Sequence, residues 1–173
     1  MIKAKLFLIF LFLGIVNLYS KVFITPEEAL KDAFGNCIIE KKRIYLTEND
    51  ATILEKELGF KIKHRFYSFY IAKDHKNVSG YALLQTDVVR TKEMSLMVIL
   101  NPDYSIKNLY LISFYEPIEY KPSERWLKLF INKNKNDPLV PGIDLPVVSG
   151  ATLTSRTVSN MVRLTLKLAK YLE

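Results

Sequence analysis

Phe60-Lys61-Ile62-Lys63-His64-Arg65-Phe66-Tyr67-Ser68-Phe69-Tyr70 is the stretch on which the fold turns. Ile62 and Phe66 alternate with Lys61, Lys63 and Arg65, and aromatic side chains become dense toward Tyr70. A period of two with aromatic enrichment predicts a strand with one buried face, beginning at Phe60. Further strands follow at short intervals. Lys73 to Ser79 reads as a polar turn, Gly80 to Val89 as a second strand, and Ser95 to Leu100 as a third with a continuous apolar run. Asn101-Pro102-Asp103 turns the chain into Ile106 to Tyr115. Connections this short favour antiparallel pairing, because a parallel crossover needs a dozen or more residues.

On the N-terminal side, Thr25-Pro26-Glu27-Glu28 combines a hydroxyl cap, a proline in the first turn and a glutamate three positions after the cap, which predicts a helix over 26–34 stopped by Gly35. Thr47 to Asp50 repeats the pattern, and Ile53, Leu54 and Leu58 share a face before Gly59. Between them, Cys37 to Leu46 suits a short strand. On the C-terminal side, Ser123 caps a helix carrying Trp126, Leu127, Leu129 and Phe130, and 132–146 is a loop rich in Lys, Asn and Pro. The strongest helix comes last: Val158, Met161, Val162, Thr165, Leu168, Ala169 and Leu172 form one stripe from about Ser155 onward. The expected class is α+β, an antiparallel sheet bracketed by helices with a long amphipathic C-terminal helix.

Length and composition fit one domain. The chain has 173 residues, 49% apolar and 25% charged, a balance that excludes both disorder and a multi-span membrane protein. Cys37, His64 and His75 are too few for a four-ligand metal site, so no metal residues are expected. Cys37 reads as a small buried hydrophobe, and the two histidines as surface or strand residues. The +7 net charge comes from scattered lysines, which argues against a nucleic-acid partner. Lys3 and Lys5 precede an apolar run from Leu6 to Leu18, the n-region and h-region of an export signal. Thirteen helical residues reach only about 20 Å, short of the roughly 30 Å hydrocarbon core. Residues 1–20 are therefore expected to be a signal peptide or an N-terminal anchor, with 21–173 a single domain in the periplasm or otherwise outside the cytoplasm. If uncleaved, residues 6–18 would hold that domain at the membrane.

Dinucleotide, P-loop, nucleophile-elbow and zinc-protease motifs are absent, and no catalytic acid, base or nucleophile stands out. One segment carries chemistry: Ser149-Gly150-Ala151-Thr152-Leu153-Thr154-Ser155, between Val147-Val148 and the last helix. Gly150 lets a ligand approach the backbone, the first helical turn offers free N–H groups, and the helix dipole adds partial positive charge. The hydroxyls of Ser149, Thr152, Thr154 and Ser155 can donate. Phosphate suits such a loop. A helix cap with no ligand uses the same residue types.

This run, in a chain with an export signal, preceded by a Trp-containing helix and followed by an amphipathic one, resembles the FMN-binding domain family. That family includes the FMN-carrying C subunit of the sodium-translocating NADH:quinone reductase and the G subunit of Rnf-type complexes. The likeness is strongest over 126–172 and fainter from Gly80. It implies an electron-transfer flavoprotein whose FMN is esterified through its phosphate to Thr152 by a separate flavin transferase, and which relays electrons to a membrane redox complex or other electron-transfer proteins. Ser149, Gly150 and Ala151 then match the attachment loop, Thr154 and Ser155 the hydroxyl residues entering the helix, and Glu116 a flavin-contacting acid. Two positions depart from the family pattern. Pro146 stands where an aspartate is usual, with Asp144 two positions earlier, and Tyr115-Glu116-Pro117 replaces Glu-Thr-Pro-Gly. Tyr81, Tyr115 and Trp126 are candidates to stack on a flavin ring, though such aromatics also serve as core. The alternative is an exported binding or scaffolding module of the same fold without covalent flavin.

Overall fold

The computed structural model describes residues 21–172; the expected signal or anchor, including the 6–18 run, lies outside the described residues. The elements are β1 (Lys21–Val22), α1 (Pro26–Phe34), β2 (Ile38–Tyr45), α2 (Glu48–Leu58), β3 (Phe66–Asp74), β4 (Asn77–Val88), β5 (Glu93–Leu100), β6 (Ile106–Phe114), α3 (Glu124–Leu127) and α4 (Thr152–Leu168). Single 3-10 turns follow β6, α3 and α4. The strands make one sheet in the order β1-β6-β5-β4-β3-β2, antiparallel throughout. The α+β class is as the sequence pattern implies.

Both capping boxes form. Thr25 accepts from the Glu28 N–H while Glu28 accepts from the Thr25 N–H, and Thr47 and Asp50 do the same at α2. Each pair satisfies two N–H groups that a helix start leaves bare. Helix α1 lies over β4, β5 and β6, where Leu30 and Phe34 meet Ala82, Met97 and Ile99. The other face holds the larger core: Phe69, Leu83, Leu96 and Val98 pack against Leu54 of α2, Phe130 after α3, and Val158 and Val162 of α4.

Several boundaries move. The strand expected from Phe60 starts instead at Phe66, because Glu55 captures the preceding segment: its carboxylate accepts from the Ile62 N–H and the Lys61 ammonium. Alternation at 60–65 thus reflects a buried Ile62 between exposed lysines, without a strand. The 73–79 turn shrinks to His75 and Lys76, since β3 and β4 pair as far as Asp74 opposite Asn77. Cys37, half-buried beneath α1, precedes a full eight-residue strand that pairs with β3 along its length. Helix α4 begins at Thr152, earlier than its apolar stripe, because the first turn is polar and carries no periodic signal.

Gly80 sits at a close crossing. Its φ is 151°, and a Cβ there would run into the Leu100 carbonyl oxygen and the Phe34 ring, whose Cε1 lies 2.8 Å away. Neither can withdraw, since Leu100 is ladder backbone and Phe34 is wedged between α1 and the sheet. Gly80→Ala is expected to cost about 2–4 kcal/mol, read as a lower urea midpoint at unchanged slope.

Candidate functional site

Helix α4 is fixed on the sheet by one buried amide. Gln85 of β4 donates through Nε2 to the Met161 carbonyl (2.8 Å) and to Thr165 Oγ1 (2.7 Å), and Thr165 donates back to Met161 O (2.9 Å). At the other end, the loop before α4 is held from outside. Trp126 Nε1 donates to Pro146 O at 3.0 Å, Ser159 of α4 donates to Leu139 O, and Asp144 accepts from the N–H groups of Leu139 (2.8 Å) and Val140 (2.7 Å). Buried Leu139 adopts a φ of 52°, an unfavourable angle for a branched side chain that these bonds maintain. What reads as an aperiodic loop is therefore a braced one.

The braced loop delivers the start of α4 to a cavity. This cavity, about 240 Å³, is lined by Gly150 to Thr154, by Val89 and Arg90 after β4, and by Glu116 and Tyr120 after β6. Gly150 has a φ of 78° with open space where a Cβ would stand, so the backbone is bare to a ligand. The N-cap position is Ala151, and no side chain caps the helix. A pure capping role for the hydroxyls of 149–155 is thus not what they perform. The first N–H returned to the helix is that of Ser155, to Ala151 O at 3.0 Å, and the N–H groups of Thr152, Leu153 and Thr154 meet no acceptor among the described residues.

The hydroxyls separate into distinct roles. Thr152 is exposed and its hydroxyl has no partner among the described residues. Thr154 is 1% exposed, and its Oγ1 is buried without a hydrogen bond at the cavity wall. A buried polar group left unpaired costs about 1–3 kcal/mol. Ser155 donates to Ala151 O and Thr152 O, so its hydroxyl serves the helix and lies outside the cavity lining. Ser149 is exposed and also outside the lining. Ala151 is buried and anchors the turn through its N–H to Val148 O, 3.1 Å.

Glu116 is 6% exposed, and its Oε1 gathers the N–H groups of Arg90 (3.0 Å), Thr91 (2.6 Å) and Lys92 (2.8 Å). Burial pushes its carboxyl up, but these donors and the Thr91 hydroxyl together outweigh burial and hold it below the usual carboxylate range. It is a clasp that closes the β4–β5 turn and also a wall of the cavity. Its other oxygen, Oε2, makes no hydrogen bond among the described residues. Nothing local in Tyr115-Glu116-Pro117 announces this, since the partners lie 24–26 positions away.

The aromatic candidates do not enter the cavity. Tyr81 stacks on Tyr104 with ring centroids 5.1 Å apart, and Trp126 meets Phe130 edge-on at 5.1 Å. Tyr115 is half-buried beyond β6. Tyr120, Val89 and Arg90, which do line it, carry no signal in the linear sequence beyond their residue type. His75 is exposed in the β3–β4 turn. No protein-family model, curated protein or solved structure matches the chain.

Glu116→Gln is expected to lower stability at pH 7 by about 1–3 kcal/mol, as charged hydrogen bonds become neutral ones. The carboxyl is lowered in the folded state, so its contribution is complete above the unfolded value near 4.3 and fades as pH falls through the lower folded value. The gap between parent and variant in urea denaturation should therefore close below about pH 4. A gap unchanged at pH 3 would assign the loss to shape instead of charge.

Proposed function

We propose that this chain is an electron-transfer flavoprotein that carries FMN on Thr152 through a phosphoester. The observation that carries the reading is the meeting of the first turn of α4 with Glu116 in one cavity, where the buried Thr154 hydroxyl has no partner. The residues present fit a phosphate and the polyol beside it. Thr152, Leu153 and Thr154 N–H groups at a positive helix end, with Arg90 opposite, suit the phosphate. Thr154 Oγ1 would gain the partner it lacks, and Glu116 Oε2 would accept from ribityl hydroxyls. When bound, FMN supplies the one- and two-electron chemistry of its ring, and the protein holds and orients it.

Attachment is a maturation step, not part of turnover. Thr152 Oγ1 would form a bond to the phosphorus of an FMN donor activated as a phosphoanhydride, the anhydride P–O bond would break, and the nucleotide would leave. The threonine proton would pass to a base on the flavin transferase. A covalent carrier suits a compartment where a released cofactor is lost, because no dissociation equilibrium remains. We place the domain outside the cytoplasm on the strength of Lys3, Lys5 and the apolar run 6–18, working with a membrane redox complex. Among the described residues, no helix is long and apolar enough to cross a membrane.

A bare binding module is the second reading, favoured by Pro146 in place of an acid and by Asp144, whose carboxylate is already engaged by Leu139 and Val140. Intact mass after co-expression with a flavin transferase separates the two. One FMN adduct is expected on the parent and none on Thr152→Val; an adduct surviving in that variant would refute the assignment, and an unlabelled parent beside a labelled control acceptor would favour the module. Thr154→Val should label more slowly yet raise the stability of the unlabelled protein by about 1 kcal/mol, because it removes an unpaired buried hydroxyl.

A further inference from the structure

A larger cavity, about 660 Å³, has no part in the site above. It arises where the sheet comes apart. Pairing of β3 with β4 runs from Asp74 opposite Asn77 to Phe69 opposite Leu83 and stops. Yet β3 continues on β2 as far as Phe66 opposite Tyr45, and β4 continues on β5 as far as Val88 opposite Glu93. Phe66, Tyr67 and Ser68 therefore face Leu84 to Val88 across a slot with no ladder between them. The 60–64 segment bridges the slot, tied to β4 by the ion pair of Lys63 with Asp87.

Helix α4 joins this slot to the Thr152 cavity. Leu153 lines the smaller cavity, and Thr157, Asn160 and Leu164 line the larger one. The four residues step by four, three and four, so they form one stripe along a single helix face. The opposite wall is continuous too: Val89 and Arg90 border the first cavity, and Leu84 to Val88 the second. The two cavities thus follow one another along β4 and α4.

We propose that the slot between β3 and β4 receives the isoalloxazine ring of the FMN attached at Thr152. This rests on the flavoprotein reading given above. Size decides against the smaller cavity: about 240 Å³ lies below the roughly 300–1,000 Å³ of sites that enclose an organic ligand, whereas 660 Å³ lies within it. Reach agrees. Thr157 and Asn160 lie about 7.5 and 12 Å along the helix from Thr152, and an extended ribityl phosphate of about eight bonds covers roughly 10 Å. Chemistry agrees as well. Phe60, Phe66 and Tyr67 offer flat apolar surface, and Phe66 is 71% exposed at the opening. The Thr157 hydroxyl and the Asn160 carboxamide make no hydrogen bond among the described residues, so both are free for the ring's alternating N–H and C=O edge.

The test uses the full chain, with and without the flavin transferase. Lumiflavin, the ring without ribityl or phosphate, is titrated into unlabelled protein while flavin fluorescence and induced visible circular dichroism are followed. Saturable quenching with an induced signal is expected in the parent and in Thr152→Val. Thr157→Trp and Asn160→Trp, which fill the slot from a half-buried helix face, should weaken it at least tenfold, and Phe66→Ala, at a position 71% exposed beside Tyr45, several-fold. In labelled protein, iodide should quench the ring poorly in the parent and readily in the two tryptophan variants. An adduct on Thr152 whose iodide access is the same in parent and slot variants overturns the slot and leaves the tether standing. Lumiflavin binding that responds to the slot variants, in a chain that never labels, overturns the tether and leaves the slot as a flavin-ring site. No slot-dependent signal in either form overturns the proposal.

Discussion

The position of α4 over the sheet depends on a desolvated carboxamide. Gln85 is 9% exposed, and both hydrogens of its Nε2 are taken by α4, one by Met161 O and one by Thr165 Oγ1. A rotation of the helix by one residue, or a slide by one turn, would strand those donors in an apolar layer at about 1–3 kcal/mol, whereas hydrophobic contacts with Val158 and Val162 would tolerate such a shift far better. Packing holds α4 against the sheet, and the amide selects which of several similar packings is populated. The consequence propagates along the helix. Fixing Met161 and Thr165 over β4 sets the stripe of Leu153, Thr157, Asn160 and Leu164 along the open seam, and it carries Thr152 to the end of β4, beside Arg90 and Glu116.

The elements that could be read from sequence are those whose cause is local. Thr25-Pro26-Glu27-Glu28 and Thr47-Glu48-Asn49-Asp50 form their capping boxes because every atom involved lies within four residues. The apolar runs of β4, β5 and β6 announce themselves because these strands are covered on both faces. Failures share the opposite property. At 60–65 the alternation is genuine, but Glu55, from the preceding helix, takes the backbone donor that a ladder would have used. At β2, by contrast, the strand expected over Cys37 to Leu46 forms as Ile38–Tyr45, although one face lies exposed at the sheet edge and burial there is slight.

The candidate site divides along the same line. The 149–155 segment is legible as a loop entering a helix, and Gly150 as the residue that keeps it open. That Thr154 and not Ser155 would face the cavity is a matter of helix phase, and the phase is set by Gln85, far away in sequence. Glu116 was singled out only through the family resemblance, which implies a contact with flavin; its clasp on 90–92 is a tertiary fact. The same carboxylate that closes the β4–β5 turn forms part of the cavity wall.

The start of α4 gathers polar groups that meet no partner among the described residues. The protein buries Thr154 Oγ1 unpaired and leaves the first N–H groups of α4 unmatched at the positive end of a long helix, while the loop before it keeps Leu139 in a strained conformation. An acceptor oxygen at the start of α4 would pair the Thr154 hydroxyl and these N–H groups, whereas Leu139 is held by its bonds with Ser159 and Asp144. A side-chain cap would be favoured by Ser, Thr, Asp, Asn or Gly at position 151, and the chain has alanine there, with an exposed threonine at 152. Under the proposed reading, the same arrangement would serve as a preformed acceptor site for an anion. By linkage, an anion bound at that end would add its binding free energy to folding.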